Sequence, residues 1–242
     1  MRCALHVTPR SPASIRRVNE AEYLFAYGTL LDDATYARAI GSEPLPLVPA
    51  LLRGWKRFEL PGVCYPGAIA VRYDSSIQGA LRAVHSSEQW RALDDYEGPE
   101  YERVQCVVET TGGLVTASVY RFKLNGCLRV QYARGSSSNC TAHSVIAVLN
   151  DVRIGSIEVE TRVDASREIA WLRQLCVASK WRRLGIGRTL VERALETLKL
   201  EGVHSVHALR GPGEHCLLAL GWSDSIAVID ANHRRVLTRQ VA

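Results

Sequence analysis

A polar, glycine- and serine-rich stretch near the middle of the chain constrains the fold most strongly, because it interrupts the hydrophobic pattern on both sides. The stretch covers residues 125–142 and contains Asn-Gly followed by Arg-Gly-Ser-Ser-Ser-Asn. This composition is typical of a flexible connection. Roughly 100 residues remain on each side, which is enough for a small core of its own. We therefore predict two domains, residues 21–124 and 143–242, joined by a linker over 125–142.

Cysteine usage and the first residues bear on the compartment. The seven cysteines are scattered and never form a C-x-x-C pair. This pattern indicates free thiols in a reducing compartment and predicts neither disulfides nor a metal site. Residues 1–20 are rich in arginine and contain no apolar core of a secretory signal. We interpret them as a flexible leader, although a transit peptide would have a similar composition. A cytoplasmic protein is predicted.

The charge pattern narrows the class of partner. The net charge of +5 is modest, whereas nucleic-acid binders concentrate basic charge on one face. The only basic cluster comprises Lys180, Arg182, Arg183 and Arg188, enough for one small anionic ligand. No apolar run approaches the roughly 20 residues that span a bilayer. We therefore predict small-molecule partners, and neither a nucleic-acid nor a membrane partner.

Short β-rich runs separated by turn signals dominate the first domain. Strands are predicted over residues 23–27, 48–59, 68–73, 77–84, 101–109 and 114–122, and helices over 34–40 and 87–96. Many short strands with two helices predict an α+β fold built on a small mixed barrel or a curled sheet.

The second domain alternates strands and helices. Strands are predicted over residues 143–149, 153–160, 170–177 and 205–209, helices over 187–200 and 214–220, and a final hairpin over 226–236 with its turn at Asp230–His233. The longer helix carries leucine and alanine at helical spacing, which indicates a helix packed on a sheet. This order fits an α/β mixed sheet with flanking helices.

The helix predicted near residue 90 presents an acidic side chain on its apolar face. Ser86 and Gln89 form a capping box at its start. Trp90 and Leu93 face the core, and Glu97 follows at i+7 on the same face. A carboxylate on a core-facing stripe is costly unless it is paired or functional.

Two effects should raise the pKa of Glu97. It lies at the negative end of the helix dipole, and Asp94 and Asp95 lie beside it. A raised carboxyl pKa suits a general acid/base at neutral pH. The spacing equally fits a glutamate at the core edge that pairs with Arg103 or another base.

The sequence Tyr27-Gly28-Thr29-Leu30 joins a strand to a helix. Glycine permits a sharp turn that exposes successive N–H groups, and these could bind a carboxylate or an oxyanion. An ordinary strand–helix turn would have the same composition, so both interpretations stay open.

Four motifs occur in a characteristic order: Phe25-Ala26-Tyr27-Gly28-Thr29-Leu30, Leu52-Arg53-Gly54-Trp55, Tyr65-Pro66-Gly67-Ala68, and Leu93-Asp94-Asp95-Tyr96-Glu97-Gly98 followed by Tyr101 and Arg103. With them, the chain from about Tyr23 to Phe122 resembles the γ-glutamyl cyclotransferase-like (AIG2-like) family. The resemblance implies that Glu97 is catalytic and that Tyr27, Gly28, Thr29, Leu30 and Tyr101 bind substrate. It implies cyclisation of a γ-glutamyl group to 5-oxoproline without a metal. The Tyr-Gly-Thr-Leu form is similar to the branch that acts on γ-glutamyl amines.

A second glycine-rich turn, Arg182-x-x-Gly185-x-Gly187, joins a β-run to the long helix. Its glycines let backbone N–H groups point into one concavity at a helix N-terminus, which suits a pyrophosphate. A tight turn with solvated arginines would have the same residues.

The longer string Leu175-Cys176-Val177 to Leu190, with Leu217–Trp222, resembles the GNAT N-acetyltransferase family, over about His143–Val236. It implies an acetyl-CoA co-substrate, with pantetheine along the strand. The implied cofactor-binding residues are Leu175, Val177, Arg182, Arg183, Leu184, Gly185, Ile186, Gly187 and Arg188.

The second resemblance shows two departures. Leu217 stands where family members often carry a tyrosine that protonates the leaving thiolate, and the strand and helices of the acceptor side are not recognisable. Glu158, Glu160 and Glu168 are candidate bases or simply solvated residues. Three hypotheses follow: a bifunctional enzyme, a cyclotransferase regulated by a non-catalytic acyl-CoA sensor, and two binding modules without chemistry.

Overall fold

The computed structural model describes residues 22–137, 140–164, 167–209, 214–229 and 235–241. Its first domain has seven strands: β1 (Glu22–Ala26), β2 (Val48–Arg53), β3 (Trp55–Glu59), β4 (Pro66–Ala70), β5 (Ser76–Val84), β6 (Tyr101–Thr110) and β7 (Gly113–Phe122). Five of them close into a barrel in the order β1-β5-β2-β6-β7, and β3 pairs with β4 as a separate hairpin. The predicted α+β barrel is confirmed.

Two capped helices lie at the barrel. They are α1 (Asp33–Ile40) and α2 (Ser87–Glu97). The Asp32 carboxylate accepts a bond from the Thr35 amide at 2.8 Å. The Ser86 hydroxyl accepts from the Gln89 amide at 3.2 Å, and the Gln89 side-chain oxygen accepts from the His85 amide at 2.7 Å. These local bonds satisfy helix-start donors, which is why both boundaries were predictable.

The run predicted as one strand over residues 48–59 is divided. Gly54 has φ of 72°, a left-handed conformation that glycine adopts without steric cost. The chain turns there, so β2 joins the barrel while β3 enters the hairpin.

The second domain is a seven-stranded sheet with helices. Its elements are α3 (Leu124–Cys127), β8 (Arg129–Ser136), β9 (Cys140–Leu149), β10 (Val152–Asp164), β11 (Arg167–Val177), α4 (Ile186–Leu200), β12 (Ser205–Leu209), α5 (Glu214–Ala219), β13 (Ser223–Ile229) and β14 (Arg235–Gln240). The order is β13-β14-β12-β11-β10-β9-β8, with β11 and β12 parallel and the other pairs antiparallel. The predicted mixed sheet with flanking helices is confirmed.

The linker predicted over residues 125–142 is wrong for most of its length. Residues 129–136 form β8, which pairs with β9 from Arg129–Val148 to Ser136–Thr141. Every β8 side chain is at least partly exposed, because β8 is the edge strand of the sheet. An edge strand held by backbone bonds tolerates polar residues, so its composition looks like that of a loop.

The two domains share a hydrophobic core. One contiguous cluster of buried side chains includes Phe58 and Phe122 from the first domain and Trp181 and Leu190 from the second. The leader and the predicted turn at 230–233 lie outside the described residues. Within the described ranges, no helix is both long and apolar enough to cross a membrane.

Candidate functional site

A cavity of about 360 Å³ opens beside the first strand of the barrel and the C-terminus of α2. The residues predicted for catalysis and substrate binding all line it: Glu97, Tyr27, Gly28, Thr29, Leu30 and Tyr101. The structure therefore brings together residues from β1, the following turn, α2 and β6 that are up to about 75 positions apart.

Glu97 is the one charged residue among the described residues that line this cavity. Its burial raises the pKa of its carboxyl group to about 7. Burial is the cause of this raised pKa, whereas the sequence had suggested the helix dipole and the neighbouring aspartates. Within the described ranges, no hydrogen bond or ion pair engages the carboxylate. A lone carboxyl group with a pKa near neutrality can both accept and return a proton.

Arg103 does not pair with Glu97, so that structural alternative is wrong. Its guanidinium lies 3.1 Å from an Asp94 oxygen and 4.3 Å from the centre of the Trp90 ring. Asp94 also accepts a 2.7 Å bond from the Tyr120 hydroxyl. Asp94 therefore pairs with Arg103, the basic residue that could otherwise have neutralised Glu97.

Buried tyrosines form the walls of the cavity. The Tyr27 hydroxyl donates to the Tyr120 carbonyl at 2.7 Å, and the Tyr101 hydroxyl donates to the Pro66 carbonyl at 2.9 Å. Burial, reinforced by the negative charge of Glu97, raises the pKa of both tyrosines far above neutrality. Both hydroxyl groups therefore stay protonated, and their hydrogen bonds hold both rings in place. The two tyrosines shape the cavity rather than donate a proton to a ligand.

The turn after β1 offers backbone donors. Residues 29–31 form a short 3-10 turn in which the Leu31 amide bonds the Gly28 carbonyl at 3.0 Å. Within the described chain, no partner engages the N–H groups of Gly28, Thr29 and Leu30, and all three residues line the cavity. The Leu30 side chain is buried in the core, so only its main chain serves a ligand. Successive free N–H groups suit a carboxylate or an oxyanion.

Arg82 holds this turn from behind, and the sequence analysis missed it. The side chain is fully buried on β5. It donates to the carbonyls of Leu30 at 3.2 Å and Leu31 at 2.7 Å and pairs with Asp33 at 2.6 Å. The only signal for Arg82 in the sequence was a lone basic residue within a predicted strand, with no acidic partner close to it along the chain. Because its guanidinium fork bonds three acceptors of one turn, Arg82 fixes the backbone that faces the cavity.

A second cleft, of about 790 Å³, opens where two parallel strands of the sheet diverge. β11 pairs with β12 only over Ala170–Leu172 and then continues to Val177. Seven predicted cofactor-binding residues line this cleft: Leu175, Val177, Arg182, Arg183, Gly185, Gly187 and Arg188. Leu184 and Ile186 do not, because their side chains are buried in the core.

The glycine-rich loop ends at the start of α4. Gly185 adopts a left-handed conformation with φ of 87° and provides no side-chain cap. The first N–H groups of the helix therefore keep their hydrogen-bonding capacity for an anion. The Arg182 side chain bonds the Val177 carbonyl at 2.9 Å, which ties the loop to the end of β11.

The candidate bases near the second cleft differ in environment. Glu160 lies between Arg173 and Arg162, at 2.7 and 2.5 Å, and these bonds lower the pKa of its carboxyl group. Glu158 is exposed, and the side chain of Glu168 lies outside the described residues. Leu217 lines the cleft and cannot donate a proton. No group of three or more His, Cys, Asp or Glu residues in the described ranges is arranged to hold a metal ion.

Comparisons with known proteins find a matching family model for each half of the chain. Residues 24–136 match the family model described as gamma-glutamyl cyclotransferase, AIG2-like, and residues 116–215 match that of the acetyltransferase (GNAT) family. Protein AIG2 C of Arabidopsis thaliana is 32% identical over 85 residues, which is 35% of this chain. The chain spans 50% of the length of that relative.

Solved structures resemble each half. A solution structure of an Arabidopsis thaliana protein is 27% identical, with a TM-score of 0.39, over 43% of this chain and 62% of its own. The PaiA N-acetyltransferase of Thermoplasma acidophilum, in complex with coenzyme A, is 17% identical, with a TM-score of 0.34, over 41% and 60%. By the two family models, the N-terminal half is similar to γ-glutamyl cyclotransferases of the AIG2-like family and the C-terminal half to GNAT acetyltransferases, as the motifs indicated.

Proposed function

We propose that the chain is a bifunctional enzyme. Its first domain cyclises a γ-glutamyl group to 5-oxoproline and releases an amine or amino acid. Its second domain binds acetyl-CoA and transfers the acetyl group to an amine. The observation that carries the first activity is the unpaired Glu97 carboxyl group, with a pKa of about 7, in a cavity that also presents free backbone donors.

The first reaction needs no nucleophilic side chain. Glu97 takes a proton from the α-ammonium group of the γ-glutamyl residue, and the freed amine attacks the γ-carbonyl carbon of the same residue. A C–N bond forms, and the carbonyl electrons move onto oxygen, where the N–H groups of the turn at 28–30 stabilise the charge. When the carbonyl re-forms, the original γ-amide C–N bond breaks and Glu97 returns its proton to the departing nitrogen. The ring nitrogen loses its second proton to the regenerated Glu97 carboxylate, which passes it to the released amine, so the products are a neutral lactam and an ammonium group. Holding the chain in a folded conformation makes this intramolecular attack favourable.

The cavity lining favours γ-glutamyl amines over γ-glutamyl dipeptides. Aromatic rings form its walls, including Tyr65, Tyr96 and Tyr101, and no described lining residue is basic. A departing amino acid would bring a carboxylate into this setting without a cationic partner, which is costly.

The test is product analysis by mass spectrometry on the purified full chain. A panel of γ-glutamyl amines and dipeptides is incubated with the wild-type protein and with the Glu97→Gln variant. We expect 5-oxoproline from the amines with wild-type protein and a loss of roughly 100-fold or more with the variant, as for removal of a general acid/base. Full 5-oxoproline release by the variant would overturn the assignment.

The second activity is supported by the cleft beside β11. Its glycine-rich loop leaves the first N–H groups of α4 available, and Arg182, Arg183 and Arg188 surround it. These groups suit the pyrophosphate of acetyl-CoA, while Leu175 and Val177 offer an apolar wall for pantetheine. The acetyl group supplied by bound acetyl-CoA would be transferred to an amine.

Two observations favour a second candidate, in which this domain senses acyl-CoA without chemistry. Leu217 offers no proton to a leaving thiolate, and Glu160 is held as a carboxylate by two arginines. Calorimetry with coenzyme A, run beside a mass-spectrometric search for acetylated amines, separates the candidates. Binding without any acetylated product across the amine panel would favour the sensor. We retain a cytoplasmic location as part of the proposal.

A further inference from the structure

The β3–β4 hairpin of the first domain contacts the loop that precedes the phosphate-binding turn of the second. The Phe58 ring meets the Trp181 ring edge to face, with centroids 5.4 Å apart. The Lys56 ammonium donates to the Lys180 carbonyl at 3.1 Å. The Arg183 guanidinium lies 5.5 Å from the centre of the Tyr73 ring. A surface of the barrel domain therefore supports Lys180, Trp181 and Arg183 of the loop.

Trp181 connects this support to the acyl-CoA cleft. It is 1% exposed, and it lines the cleft together with Arg182. The Trp181 amide bonds the Ala178 carbonyl at 2.8 Å, so the indole stands on a tight turn directly before the phosphate-binding residues. A shift of this ring would move the loop that follows it, because packed interiors transmit displacement.

The same Phe58 ring also connects, through Phe122, to a wall of the Glu97 cavity. It contacts the Phe122 ring with centroids 5.9 Å apart, and Phe122 contacts Tyr101 at 5.4 Å. Tyr101 forms a wall of the cavity. The rings therefore form a continuous aromatic series, Trp181–Phe58–Phe122–Tyr101, that runs from one ligand site to the other.

Gly67 shows how closely this series is packed. A Cβ atom at that position would lie 2.7 Å from the Phe58 ring and 3.2 Å from Phe122. The neighbouring Pro66 lines the Glu97 cavity and accepts the Tyr101 hydroxyl bond. The Phe58 ring thus has little room to move without displacing a wall of the cavity.

We propose that Phe58 is a positioning residue for the acyl-CoA cleft of the other domain, acting through Trp181, and that the aromatic series couples the two sites. This inference rests on the proposed function of both sites. Coupling of this kind is reciprocal: a ligand in the Glu97 cavity changes the affinity for coenzyme A by the same factor as the reverse.

The test uses the full chain, with coenzyme A as probe and isothermal titration calorimetry as readout. The Phe58→Leu variant keeps an apolar side chain but removes both ring contacts. We expect coenzyme A to bind about 3- to 10-fold more weakly, as for loss of an aromatic pair. The matched control is Asn150→Asp, which removes a different contact between the domains, the 3.0 Å bond from the Asn150 amide to the Pro61 carbonyl. It should leave the affinity unchanged.

A second arm repeats the titrations with saturating 5-oxoproline. The affinity of the wild-type protein for coenzyme A should change, and that of Phe58→Leu should change less. A purely structural role for Phe58 would lower the melting temperature and leave both affinities as in the wild type. If Phe58→Leu does not fold, Phe58→Met replaces it.

The outcomes separate the inference from the function on which it rests. A wild-type protein that binds no coenzyme A would overturn the acyl-CoA assignment and this inference with it. Wild-type binding with equal affinity in Phe58→Leu would overturn the inference alone. An affinity that does not respond to 5-oxoproline in the wild type would overturn the coupling.

Discussion

The Arg103 guanidinium bonds the Asp94 carboxylate at 3.1 Å and leaves Glu97, three residues further along the helix, without a basic partner in the part of the chain that the structure describes. The Tyr120 hydroxyl bonds the second oxygen of the same Asp94. One aspartate therefore occupies both neighbouring donors. The partly buried Glu97 remains a lone carboxyl group, and its chemistry follows from that isolation.

The raised pKa of Glu97 predicts the pH dependence of the first activity. Because the carboxylate form takes the substrate proton, kcat/KM for 5-oxoproline release should rise with pH and level off above a midpoint near the pKa of about 7. The measurement is initial rates across buffers of constant ionic strength. A midpoint close to the ordinary glutamate value of 4.5 would show that burial does not tune this group.

The same shift predicts how Glu97→Gln affects stability. A carboxyl pKa that is raised in the folded state favours the protonated form, so the folded protein binds more protons than the unfolded one and loses stability as pH rises from 4.5 through about 7. A glutamine side chain does not ionise, so the Glu97→Gln variant avoids this pH-dependent loss of stability. We expect the variant to be more stable than wild type by about 1–3 kcal/mol near pH 8, with no difference below the unfolded pKa. Denaturant unfolding at the two pH values measures it, and equal stability at the higher pH would contradict the prediction.

Arg82→Lys tests the support of the substrate turn. Lysine keeps the charge but cannot bond two carbonyls and Asp33 at once as the guanidinium does. We expect the unfolding free energy to fall by about 2–4 kcal/mol. We also expect kcat for 5-oxoproline release to fall more than the affinity for coenzyme A. Arg91→Lys, at an exposed helix position, is the control. Unchanged 5-oxoproline release in Arg82→Lys would show that the turn holds its shape without the fork.

Gly28→Ala tests the close approach of the turn to the cavity wall. A Cβ atom there would lie 3.0 Å from Pro66 Cγ, so the turn or the proline must shift by a few tenths of an ångström. We expect 5-oxoproline release to fall by roughly 10-fold, since small displacements of oxyanion donors are costly. Gly135→Ala on the edge strand meets no atom within 4 Å and should behave as wild type. Equal rates in both variants would argue against a role for the turn amides.

Local signals explain why the helices and many strands were predictable. The caps at Asp32 and Ser86 involve residues within a few positions of one another, so they can be recognised from the sequence alone. The edge strand β8 carries no such signal, because its partner is β9 and its side chains face solvent. Arg82 was missed for a related reason, since its acceptors are about 50 residues away in the chain.

The sequence by itself determined that Glu97 shares a helix face with Trp90 and Leu93, because a helix repeats at 3.6 residues and needs no other part of the chain to do so. It also determined the motif order that identifies both halves. Only the tertiary structure decided which groups Glu97 meets: barrel closure places Arg103 beside Asp94, and domain packing places Phe58 against Trp181. Those outcomes depend on contacts between distant segments, and hydrophobic periodicity does not specify which side chains meet across them.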